Sequence, residues 1–110
     1  MWQTLVLSFV AGVLGANGTP HFVKGIVREQ FPSALGNTPP ANLVAGWAMY
    51  VGTAVALAYA HPTHHPAAAI IAAALGVLPM GLFHATFGAF GQDGSRPPLP
   101  AAPTIQGGAR

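Results

Sequence analysis

The chain of 110 residues contains no cysteine, which excludes disulfides, thiolate nucleophiles and thiolate metal sites and leaves the redox compartment open. Charge is nearly as scarce. Four Lys and Arg and two Asp and Glu make up 5% of the residues, against about a quarter in a soluble domain. Six charged side chains cannot cover a soluble domain of this length, so most of the surface must face lipid. The two acids, Glu29 and Asp93, both flank apolar segments, and no span contains a pair of carboxylates. No Gly-rich phosphate loop follows a strand and no nucleophile–base arrangement is legible, so the chain reads as a non-enzyme. The absence of a basic run and of basic–aromatic interleaving argues against a nucleic-acid partner.

What the chain does have is 52% hydrophobic residues, with 14 glycines and 11 prolines. Both of the latter are better tolerated in membrane helices than in soluble ones. The pattern predicts an all-α membrane protein of three transmembrane helices. The first span covers about residues 2–16, short for a crossing that needs roughly 20. It has no basic residue before its apolar centre and no Ala-x-Ala site after it, so it is expected to stay on the protein rather than be cleaved as a signal peptide. The second, about 40–60, opens with Asn37 or Thr38 as N-cap and prolines in its first turn. The third, about 66–90, carries Pro79 internally, which predicts a kink and a carbonyl near Leu75 without its helical partner. Together residues 1–91 form the membrane domain. Residues 92–110, Pro/Gly-rich and without periodicity, read as a disordered tail.

Lys24 and Arg28 lie between the first two spans, and Arg96 and Arg110 follow the third, while the N-terminus and the "HPTHHP" loop carry no Lys or Arg. The positive-inside rule then puts the N-terminus outside and the C-terminus in the cytoplasm, as a multi-pass protein of the inner (plasma) membrane. Small residues mark packing faces, because lipid cannot drive helices together by the hydrophobic effect. Thr4, Ser8, Ala11, Gly12 and Gly15 share a face of the first span. Ala41, Ala45, Ala48, Gly52 and Ala56 share one on the second, opposite Leu43, Trp47, Tyr50 and Leu57. Ala73, Val77, Gly81, Gly88 and Gly91 share one on the third. Three such faces suffice for one bundle in the bilayer; a homo-oligomer or attachment to a larger complex is compatible with them.

The stretch "ANGTPHFVKG" (16–25) interrupts the first apolar run. Asn17-Gly18 is a left-handed helix stop by composition. Thr19 and Pro20 could restart the chain as a short interfacial helix over about residues 20–30. The alternative is a broken helix with an unwound turn at membrane depth. "NGTPHFVKG", followed by the Phe-Pro turn of "QFPSALGN" and more loosely by "GLFHATFGAFG", resembles an uncharacterised family of small bacterial integral membrane proteins. These open the first transmembrane helix into an Asn-Gly-x-Pro-His-Phe motif. The resemblance implies placement in a bacterial membrane and draws attention to Asn17, Gly18, Pro20, His21 and Phe22; it implies no reaction.

Five histidines are present. His61, His64 and His65 sit in a proline-bounded turn that offers no carboxylate; a solvated turn is the first reading and adventitious metal binding the second. His84 lies within the third span, where a titratable group usually faces the bundle interior. His21 and His84 are expected at similar depth, in a layer with Asn17, Trp47 and Thr86. Two imidazoles could ligate a haem iron, hold a metal or pass a proton. More simply, His84 could donate to carbonyls of residues 13–16 freed by the Asn17-Gly18 stop, locking the third helix to that junction. No cofactor is identified by the residues alone. The resulting expectation is a non-enzymatic accessory or assembly subunit of the inner membrane. The alternatives are a haem, metal, proton or ion-conducting protein using His21 and His84, and a small-molecule binding protein at the kink of the third span.

Overall fold

The computed structural model describes residues 1–89. It contains three helices, α1 (Trp2–Ile26), α2 (Pro39–Ala60) and α3 (Pro66–Phe87), and among the described residues no strand. Each helix is long and apolar enough to cross a membrane. The chain is thus a multi-pass, all-helical membrane protein in contact with lipid. The tail expected over 92–110 lies outside the described residues.

The first span differs most from expectation. α1 does not stop at Asn17-Gly18; it runs through Thr19 and Pro20 to Ile26 as one helix of 25 residues. At about 1.5 Å per residue it is some 37 Å long, enough to cross the hydrocarbon core. No separate interfacial helix follows. A stop at residue 17 would leave several carbonyls unpaired at membrane depth, each costing several kcal/mol, whereas continuing past Pro20 sacrifices one N–H and one helical bond. Thr19 also turns its hydroxyl back along the helix, donating to the Gly15 carbonyl at 2.8 Å. The true end lies at the polar boundary. Arg28 takes a left-handed φ of 64°. Its N–H bonds the Gly25 carbonyl, and the Glu29 N–H reaches back to the Lys24 carbonyl at 2.9 Å. These are the two crossed bonds of a Schellman ending. Lys24 and Glu29 pair across this exposed turn.

α2 begins as anticipated. Thr38 is the N-cap, its hydroxyl accepting from the Ala41 N–H at 3.3 Å, with Pro39 and Pro40 in the first turn. At its other end the last carbonyls would face the membrane surface without partners. α1 supplies two of them: Gln3 donates to the Tyr59 carbonyl at 2.7 Å and Thr4 to the buried Ala60 carbonyl at 2.8 Å. His61 then turns the chain with a φ of 48°. α3 runs through Pro79 as one helix and ends at Phe87, where the Gly88 N–H bonds the His84 carbonyl at 3.1 Å.

α1 is the central helix. α2 and α3 both pack on it and scarcely meet each other. The expected face of α1 is realised, with Thr4, Ser8, Ala11 and Gly12 buried. On α2, Ala45 and Ala56 are buried as expected, but Ala48 is exposed and Gly46 and Asn42 take its place in the contact. Tyr50, expected opposite the packing face, instead faces α1: its hydroxyl donates to Thr19 Oγ1 at 3.1 Å and its ring lies 5.3 Å from that of Phe22. On α3 the buried residues are Ala69, Ala72 and Gly76; Val77 is exposed and Gly81 has no atom near where a side chain would begin. Small residues occur all round this helix, so their positions alone could not say which side packs. Contact is closest at Gly12, where a Cβ would collide with the Ala73 carbonyl, and at Gly76, where it would meet the Phe9 carbonyl.

Candidate functional site

Asn17 and His21 lie one turn apart on α1 and face the last turn of α3, where His84 reaches back toward them. His84 Nε2 lies 2.8 Å from Asn17 Oδ1, and Nδ1 lies 2.6 Å from the carbonyl of Gly88. The junction between the first and third spans therefore exists, but not through freed backbone carbonyls of residues 13–16. α1 keeps its helical course there, so the side-chain amide of Asn17 is what His84 finds. The other end of that amide, Nδ2, donates to Met49 Sδ at 3.2 Å. Asn17 thus ties all three helices together at one level. Both ring nitrogens of His84 face oxygen acceptors. A protonated ring donates to both; a neutral ring donates from Nδ1 to Gly88 and needs the Asn17 amide turned over to present its NH2 to Nε2.

His21 is buried and hydrogen-bonded differently. Its Nδ1 lies 2.8 Å from Oδ1 of Asn42 on α2. Asn42 is fully buried, and its NH2 donates to two carbonyls, Phe31 at 2.5 Å and Thr38 at 3.1 Å. Those two acceptors fix the amide orientation, so Oδ1 must receive and His21 Nδ1 must carry the proton. Asn42 was not singled out from the sequence. The available signal was a lone amide in the first turns of an otherwise apolar helix, "PPANLVAGW".

The loop from Val27 to Thr38 folds back over this level. Phe31 places its ring 5.1 Å from that of His21 and 6.4 Å from that of His84; the two imidazoles are 6.1 Å apart, edge to face at 84°. Ser33 closes the loop on itself, donating to the Gly36 carbonyl at 2.6 Å and accepting from the Leu35 N–H. Beneath the loop lies a cavity of about 630 Å3. Phe9, Val13, Pro79, Met80 and Phe83 give it apolar walls, while Asn17, His21 and His84 supply polar groups and Pro32 to Ala34 line it from the loop. Its size falls within the range of small-molecule sites, and an apolar wall with a few converging polar groups is their usual chemistry.

Of the other expected residues, Gly18 and Phe22 belong to the α1–α2 contact rather than to the cavity. A Cβ on Gly18 would come within 2.9 Å of Met49 Cβ, and Phe22 lies against Gly46. Pro20 is half-buried within α1 and does not line the cavity. Trp47 is 59% exposed, on the lipid side of α2, and Thr86 is exposed and bonded to its own helix at the Leu82 carbonyl; neither shares the histidine layer. The rings of His61 and His64 stack at 5.6 Å in the interhelical turn, and His65 is the N-cap residue of α3. Among the described residues, no three His, Asp or Glu side chains gather where they could hold a metal ion.

Comparison of the chain with protein-family models, with curated protein sequences and with solved structures gives no match. What can be concluded about this multi-pass membrane protein therefore comes from its own geometry.

Proposed function

We propose that the protein binds a small amphiphilic molecule taken up from the bilayer, at the side of the third span marked by Pro79, within the inner membrane of a bacterium. The observation that carries this reading is the cavity: apolar along Phe9, Val13, Met80 and Phe83, polar at Asn17, His21 and His84. A molecule with a hydrocarbon body and a hydrogen-bonding head matches that division. The motif resemblance around residues 17–22 supports the bacterial setting, and Lys24 and Arg28 support a cytoplasmic first loop.

The two-histidine haem or metal reading fares less well. Both ring nitrogens of His84 already have partners, so ligation would break the Gly88 bond or the Asn17 bond. An accessory or assembly role remains compatible with the exposed apolar face of α2, but that face is what any lipid-facing helix presents.

The cavity reading is tested by filling it. Val13→Trp places an indole in the apolar part of the cavity, away from the hydrogen-bonded layer. Wild-type protein released from lipid nanodiscs into a native mass spectrometer should retain about one equivalent of an amphiphile, and Val13→Trp should retain none. A wild-type protein that carries no bound molecule under these conditions would overturn the reading.

A further inference from the structure

The cavity's polar groups are not equivalent, and one of them is unused. Asn42 donates its NH2 to two carbonyls, which leaves Oδ1 as acceptor and fixes the proton of His21 on Nδ1. In the neutral imidazole the other nitrogen, Nε2, then carries a lone pair and no hydrogen. Among the described residues Nε2 has no hydrogen-bond partner. It is not sealed in either: among the described residues the one fully enclosed side-chain polar atom without a partner is Ser8 Oγ. His21 is 6% exposed and lines the cavity, so the opening at Nε2 is the cavity.

A buried acceptor held in a single tautomer, with no donor to satisfy it, selects for a ligand that brings the donor. We infer that the molecule bound in this cavity is a lipophilic alcohol or phenol, its hydroxyl hydrogen donated to His21 Nε2 and its hydrocarbon part lying along Phe9, Val13 and Met80. Among the described residues that line the cavity there is no carboxylate to pair with an imidazolium in place of that donor. Asn42 acts as a positioning residue, because it sets the tautomer without reaching the ligand. The Phe31 ring, packed against the His21 ring at an interplanar angle of 69°, restricts its tilt. The inference rests on the cavity reading and adds the donor requirement to it.

The test compares 4-octylphenol with 4-octylanisole, which keeps the ring and chain but replaces the hydroxyl by a methyl ether. Each is titrated, at equal mole fraction in the bilayer, into the full chain labelled with 15N-histidine. The phenol should bind about tenfold or more tightly, the difference a lost buried hydrogen bond makes. The unprotonated Nε2 resonance of His21 should move with the phenol and stay in place with the ether. His21→Phe, which keeps an aromatic ring of similar size, should bind the two probes equally. Equal wild-type affinities with an unmoved Nε2 resonance would overturn the hydroxyl requirement and leave the cavity reading standing. So would wild-type protein that retains a native amphiphile yet binds neither probe. If no amphiphile of any kind is retained, it is the cavity reading itself that has failed.

Discussion

Asn42 and His84 carry most of the polar order in this molecule, and their removal should have unequal effects. Asn42→Leu would leave the Phe31 carbonyl and the His21 N–H without their partner at the base of α2, while the Thr38 carbonyl keeps the backbone N–H of residue 42. At about 1–3 kcal/mol for each unsatisfied buried group, the loss should be at least about 2 kcal/mol. It should be measurable as a lower midpoint in denaturant titration of the detergent-solubilised protein. His84→Leu strips a partner from Asn17 and from Gly88, both less buried, and should cost about 1–3 kcal/mol. His84→Gln keeps a donor and should be close to neutral. A His84→Leu protein as stable as wild type would show that the Asn17–His84 link contributes nothing. The sequence made His84 and His21 legible because titratable groups in an apolar run are conspicuous. It did not reveal Asn42, since an amide near a helix start is ordinarily read as part of the cap. Trp47 was drawn into the site by its depth, but depth does not determine azimuth, and its ring lies on the lipid side.

At the level of the helices, the glycines divide sharply by what lies opposite them. A Cβ on Gly46 would come within 2.5 Å of the Phe22 backbone nitrogen, an atom that cannot move without displacing α1. On Gly52 it would meet only Leu14 Cδ1, at 3.1 Å, the end of a flexible side chain, and on Gly81 nothing within 4 Å. Gly46→Leu should therefore separate α1 from α2, Gly52→Leu should be accommodated with a smaller loss, and Gly81→Leu should be neutral. Cysteine cross-linking between Gln3 and Tyr59 positions, in a chain with no native cysteine, would report whether α1 and α2 remain in register. Span number and the bounds of α2 were legible because caps and prolines punctuate them. The length of α1 was not. Asn-Gly and Pro are helix breakers when water can take over the backbone groups, and their meaning changes where no water is present. The packing side of α3 was hidden for a different reason, since alanine and glycine surround it and any side could have been chosen.

For the molecule as a whole, the distribution of Lys24 and Arg28 at the end of α1, with Arg96 and Arg110 beyond the described residues, sets an expectation for orientation. A reporter fused after Arg110 should be active in its cytoplasmic form and silent in its periplasmic one; the opposite result would invert all three helices. The Schellman turn at Arg28 and the Lys24–Glu29 pair then lie at the inner surface, and the turn of His61 to His65 at the outer one.

That α2 and α3 each lean on α1 and hardly on each other bears on the order in which the protein is made. When α2 has left the ribosome, α1 and α2 can already complete their mutual bonds, Gln3 and Thr4 to the carbonyls of Tyr59 and Ala60 at one end and His21 to Asn42 at the other. None of these α1–α2 bonds uses a residue of α3. α3 joins last, packing on α1, and only then do Pro79, Met80, Phe83 and His84 close the remaining wall. The cavity is thus a product of the final docking step, and a molecule held within it stabilises that step and no earlier one. Amide exchange in α3 should slow on ligand binding while exchange in α2 stays as it was, which would make the third helix the part of the chain whose lifetime in the membrane depends on what the bilayer contains.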